Sequence, residues 1–136
     1  MKKKEKKIVA GLIGECIALQ AAQFFVGAND GREVLKKFLY YLDERCLAYI
    51  WGFSDGYMQA SNIQPADAFS IIEILYQDMF GKSWKTMLDI CINKHQTDEE
   101  FEKMTMFGGQ QAFNFLIKGK APAGLMKLLM NAVKSR

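Results

Sequence analysis

The chain has 136 residues, half of them hydrophobic and 24% charged, with two prolines and eleven glycines. That size suits one domain able to bury roughly two-thirds of its unfolded surface, and the composition excludes a disordered tail, a collagen-like repeat and a disulfide-dense miniprotein. The formal net charge of +3 is uneven: without the five lysines and Glu5 of residues 1–7, 13 bases face 14 acids, so the body is not basic.

The first segment, residues 1–28, is a lysine-rich start followed by an apolar run, and residues 29–136 read as a single helical domain. Ile8 to Ala28 holds one charge, Glu15, with Gln20 and Gln23 its other strongly polar members. A basic start before an apolar run is the pattern of a secretory signal. Val26-Gly27-Ala28 offers small residues ahead of a cut at Asn29, which would leave 13 bases and 13 acids. Glu15 interrupts the run, and a carboxylate at the centre of a spanning helix costs on the order of 2.5–3.5 kcal/mol. A retained membrane anchor is therefore a poor fit. The other reading is a buried first helix with a frayed lysine start. The two imply different compartments: periplasmic if residues 1–28 are a signal, cytoplasmic otherwise, with membrane contact only if residues 8–28 remain as an anchor.

Residues 31–53 carry Val34, Leu35, Phe38, Leu39, Leu42, Cys46, Tyr49, Ile50 and Phe53 at i, i+3/i+4 spacing, which predicts an amphipathic helix. Gly52 and Gly56 either end it or let another backbone come close. Pro65 suits a first helical turn, with Phe69, Ile72, Leu75, Tyr76, Met79 and Phe80 inward until Gly81. Ser83 is placed to cap a short helix burying Trp84, Met87, Leu88, Cys91 and Ile92. Thr97-Asp98-Glu99-Glu100 reads as a capping box. The helix it opens should bury Phe101, Met104, Phe107, Phe113 or Ala112, and Leu116, with Gly108-Gly109 as a break or a close crossing. Ala121-Pro122 opens a last helix with Leu125, Leu128, Leu129 and Val133 inward. The expected architecture is all-α, a single-domain bundle of about five to six helices.

Charge is segregated along this layout. Residues 118–136 hold five bases and no acid, whereas residues 29–117 hold eight bases and thirteen acids. A basic last helix suits docking on the acidic body, or a membrane surface or acidic partner.

The chemistry inventory is thin. His95 is the one histidine, four residues after Cys91, and its flanking Lys94 and Gln96 read as a solvated helix end. HExxH, CxxC, GxGxxG and GxxxxGKS are missing from the sequence, and the one GxSxG, Gly52-Phe53-Ser54-Asp55-Gly56, falls on a helical stripe instead of the strand-to-helix turn that a serine nucleophile needs. The expectation is a protein without catalytic residues, cofactor or metal, and without the basic, aromatic-interleaved stripe of a nucleic-acid binder. Cys46 and Cys91 would be left as an even pair if residues 1–28 were removed. They then form a bridge in an oxidising compartment, or serve as small buried apolar residues in a reducing one.

Cys46-Leu47-Ala48-Tyr49-Ile50-Trp51-Gly52-Phe53-Ser54-Asp55-Gly56 resembles the C-x-G-Y-I-x-G-x-x-D-A segment of small periplasmic immunity proteins, the Tai-type proteins that neutralise peptidoglycan amidase effectors of type VI secretion. Phe25, Gly27 and Leu35 match the lead-in, and the proline-opened stretch Pro65 to Met79 follows at a similar distance. Two departures are plain: no second cysteine precedes Pro65, and Ala48 stands where the pattern has glycine. The resemblance spans about residues 24–80 and implies a non-enzymatic helical protein that occludes the cleft of a secreted amidase. Tyr49, Trp51 and Tyr57 would be its aromatic anchors, with Asp55 among the acids that steer the encounter. The alternative is a cytoplasmic adaptor or regulator that binds another protein, with residues 8–28 as its first core helix. A homodimer is left open.

Overall fold

In the computed structural model, which describes residues 1–24 and 43–134, the chain is all-α. The described helices are α1 (Lys3–Phe24), α2 (Glu44–Ala60), α3 (Pro65–Phe80), α4 (Trp84–Lys94), α5 (Glu99–Lys118) and α6 (Gly124–Lys134), with a 3-10 turn, Gly81–Ser83, between α3 and α4. The expected cut at Ala28, the lead-in Phe25, Gly27 and Leu35, and the stripe from Val34 to Leu42 lie outside the described residues. The side chain of Val133 does too.

The dominant pairing is α2 against α5, and its cause is legible in four glycines. A Cβ built on Gly52 would overlap the backbone carbonyl of Thr105. One on Gly56 would stand 2.7 Å from the Gly109 Cα, and one on Gly108 would stand 2.9 Å from the Phe53 nitrogen. The two helix backbones therefore touch without intervening side chains, which small residues four apart permit and larger ones forbid. Gly52 and Gly56 do not end α2, and Gly108-Gly109 do not break α5.

Around this crossing the remaining helices close one core. Tyr49, Ile50 and Phe53 of α2 are fully buried beside Ile71, Leu75, Tyr76 and Met79 of α3. α1 packs on α3 and α6, contributing Ala10, Ile13, Ile17 and Ala21 to the same cluster. The basic helix α6 docks through Leu125, Leu128 and Leu129, all buried, against α1 and α2. Each large apolar side chain so buried is worth about 1.5–3 kcal/mol over leaving it in water.

Several local expectations shift. Asp98, not Thr97, caps α5, its carboxylate accepting from the Phe101 amide at 3.0 Å. The Thr97 hydroxyl instead donates back to the Asn93 carbonyl at 2.7 Å, and Glu100 faces Arg45 of α2 at 3.3 Å. Ser83 makes no side-chain cap, and Ile92 is exposed. Pro122 precedes α6, which starts at Gly124, because the chain must first leave the left-handed Gly119 that closes α5. Phe69, Phe107 and Leu116, expected inward, are exposed. In α5 the glycine face takes the inward position, which turns Phe107 toward a rim and Leu116 to solvent.

The glycine contact is directly testable. Gly52→Ala or Gly108→Ala should cost about 3 kcal/mol or more, the upper end of overpacking penalties, because the obstructing atoms are backbone. Gly11→Ala in α1, where a Cβ meets nothing within 4 Å, should instead raise stability by up to about 1 kcal/mol through helix propensity. Urea unfolding midpoints of the three variants decide it.

Candidate functional site

The turn between α2 and α3 sets the site. Asn62 takes the left-handed conformation with φ 58°, and α2 closes in a Schellman pattern: the Asn62 amide donates to Gln59 and the Ile63 amide to Met58. That motif brings a hydrophobic residue after the helix onto one in its last turn. Here the pair is Ile63 and Met58, and together they line a groove of about 390 Å³ between α2 and α3.

Residues 51, 55, 58 and 59 recur at i, i+4, i+7 and i+8, so α2 presents Trp51, Asp55, Met58 and Gln59 to the groove. Pro65, Ala68, Phe69 and Ile72 supply the wall from α3. Trp51 is half-buried, its ring 5.7 Å from that of His95 at the end of α4. Phe69 is 50% exposed at the rim. Asp55, the one charged lining residue, accepts from Gln59 Nε2 at 2.7 Å, which orients a carboxylate beside an apolar slot. Such a slot takes an apolar side chain and orders one donor or cation next to it. A second cleft, between the end of α4 and the start of α5, is lined by His95, Asp98, Glu99 and Glu102, whose acids suit a helix start.

The four partner-binding residues expected from sequence, three aromatic anchors and Asp55, part company. Trp51 and Asp55 share the groove. Tyr57 is half-buried elsewhere on α2, its ring 6.5 Å from Phe53, and burial raises its hydroxyl pKa, with Cys16 of α1 adding to the shift. Tyr49 is fully buried and presents no surface. Its hydroxyl lies 2.9 Å from Gln20 Oε1 and 2.7 Å from Gln111 Oε1, and those oxygens also accept from the Leu125 and Gly124 amides of α6. Tyr49 is thus the centre of a polar knot joining α1, α2, α5 and α6. Phe69, Met58 and Ile63 were not singled out for the site. Asn62-Ile63 just beyond an apolar helix was the available signal, since asparagine tolerates the left-handed position that such a turn needs.

Cys46 and Cys91 are both buried and stand free in the structure, as does the half-buried Cys16. Cys91 does not form a face with His95 alone: its sulfur sits 3.4 Å from the Tyr76 hydroxyl inside the core. Among the described residues no group of three or more His, Cys, Asp or Glu side chains is placed to hold a metal ion. Nor, among them, is any helix long and apolar enough to cross a membrane. Comparison with known proteins yields no match, whether to a family model, a curated protein or a solved structure.

The buried thiols give a pH dependence. Burial, with Asp43 nearby, pushes Cys46 from 9.0 up to about 12, and burial pushes Cys91 from 9.0 up to about 11 against an opposing hydrogen bond from Tyr76. Above pH 9 the unfolded chain therefore binds fewer protons than the native one, and stability falls with rising pH. Stability should therefore fall as pH climbs above 9 through about 11 to about 12, with Tyr49 and Tyr76, both raised by burial, adding to the loss, in urea titrations at successive pH values. Cys91→Ser should flatten the first part of that decline.

Proposed function

We propose that the chain is a non-catalytic protein-binding domain that receives an apolar side chain or a turn of helix from a partner protein in the groove between α2 and α3. The observation that carries this reading is the meeting of Trp51, Asp55 and the half-exposed Phe69 around one apolar slot. Aromatic residues in such a setting are the usual source of interface energy. The carboxylate adds selectivity, favouring a partner with a donor or cation beside its apolar anchor.

Within that reading the adaptor or regulator form has the better support. Ile13, Ile17 and Ala21 are fully buried, and the Gln20 carbonyl holds both Tyr49 and the first turn of α6. Loss of residues 1–28 would remove all four from the core. A retained first helix fits a cytoplasmic protein. The immunity reading has its own observation: Trp51 and Asp55, from the segment that resembles the Tai-type proteins, lie side by side in the groove. In that form the same slot would seat a projection beside the cleft of a secreted peptidoglycan amidase.

A photo-reactive residue at position 69 in the native host should crosslink one protein, identified by mass spectrometry, and the added substitution Asp55→Arg should abolish the product. With the purified partner, Phe69→Ala should weaken binding about tenfold to thirtyfold, the range of a true interface anchor. A partner that binds the Phe69→Ala, Asp55→Arg double variant undiminished overturns the groove. The intact mass of the native protein separates the two forms. A complete N-terminus in the soluble fraction supports the adaptor, and loss of about 28 residues supports export.

A further inference from the structure

We propose, resting on the groove reading above, that the partner's docking segment carries an arginine, seated in a second trough on the outer side of the α2–α5 crossing. The glycines that let the two backbones touch leave no side chain to cover the crossing from outside, and a hollow of about 290 Å³ remains there. Its floor holds the buried Gly56 and the half-buried Gly109. Asp55 and Gln59 edge it from α2, and Met106 and Phe113 edge it from α5. Met106 is 68% exposed, an open and adaptable apolar surface beside the hollow. Asp55 and Gln59 also line the groove between α2 and α3, so the two hollows share one wall. A segment anchored in the first is within reach of the second.

The charges lining the trough fix the chemistry of its occupant. Two carboxylates, Asp55 and Glu102, face it, and among the described residues no base does. Asp55 accepts from Gln59 through Oδ2, which leaves Oδ1 open. Among the described residues neither acid has an ion-pair partner, whereas Glu44, Asp67 and Glu100 all do. Lys103, next after Glu102, lines the adjoining cleft at the turn between α4 and α5, where Asp98 and Glu99 outnumber it. The basic α6 supplies no counter-charge, since its start packs on Phe107 and Gln111, on another side of α5. A phosphate backbone or an anionic leaflet would meet its own sign here, and a cationic segment is complementary. Arginine fits better than lysine: a planar guanidinium can lie on a floor without side chains while its edges donate to the carboxylates.

The test is selection of random peptides displayed on phage against the full chain. Enriched peptides are expected to share an arginine close to an aromatic or aliphatic residue. One such peptide, synthesised, should bind about tenfold more weakly to Glu102→Gln, and should lose as much when its arginine is replaced by citrulline. Glu102 is exposed and does not line the groove between α2 and α3, so its substitution reads the trough alone. Enriched peptides without arginine, or binding indifferent to Glu102→Gln, overturn the proposal. Phe69→Ala tells that failure from failure of the groove. A peptide weakened by Phe69→Ala and not by Glu102→Gln overturns the trough and leaves the groove standing, and the reverse pattern supports the trough and overturns the groove. A peptide-free dimer in light scattering that Met106→Ser dissolves, with no peptide enriched, overturns both in favour of a second copy.

Discussion

Backbone-to-backbone contact between α2 and α5 is the constraint on which the rest of the molecule depends. With Gly52 and Gly56 against Thr105, Gly108 and Gly109, the two helices lie too close for any side chain to mediate. The large residues of α2 must then leave on its other faces. Tyr49, Ile50 and Phe53 turn into the core, while Trp51 and Asp55 turn toward α3. The groove is thus a by-product of the crossing: a helix that spends one face on glycine contact has two remaining faces, one buried and one at the surface. The exposed ion pair of Arg45 with Glu100 decorates the same pairing, and that of Lys94 with Glu44 ties α4 to α2, without deciding either, since such pairs contribute little.

The polar knot does for specificity what the glycines do for proximity. Its two glutamine oxygens are oriented by backbone amides of α6, and both approach the single hydroxyl of Tyr49. One phenolic proton cannot serve two acceptors fully, and the Gln20 amide nitrogen is left buried without a partner. An apolar substitute would pack with fewer conflicts. What the arrangement secures is register, because only one placement of α6 brings its first two amides to oxygens supplied by α1 and α5.

Much of the helix pattern was legible in sequence, since 3.6-residue periodicity and proline or glycine punctuation act locally. Pro65 opens α3 and Gly81 closes it at φ 55°, as a short-range reading expects. The cap of α5 sits one residue later than the capping box implies: the Asp98 carboxylate accepts from the Phe101 amide, while the Thr97 hydroxyl donates to the Asn93 carbonyl and belongs to the end of α4. The glycines are ambiguous in sequence because nothing local distinguishes a helix end from a close crossing, and the deciding atoms lie more than fifty residues away. Site residues fared less evenly. Periodicity placed Trp51 off the apolar stripe, and it does reach the groove. Tyr49 lay on the stripe and still looked like an anchor, because an aromatic hydroxyl gives no sign in sequence of whether Gln20 and Gln111 will satisfy it. Phe69 was missed since its helix buries five other large residues on nearly the same arc, and only packing shows which one is surplus.

The way α6 is capped has a kinetic corollary. Its first amides are held by side chains 13 and 105 positions away, so the helix lacks a local N-terminal cap of its own. Eleven residues with that handicap are too few to persist alone in water. α6 can therefore consolidate only after α1 and α5 have already met around Tyr49, which puts its formation after that meeting in folding and its release before those helices part in unfolding.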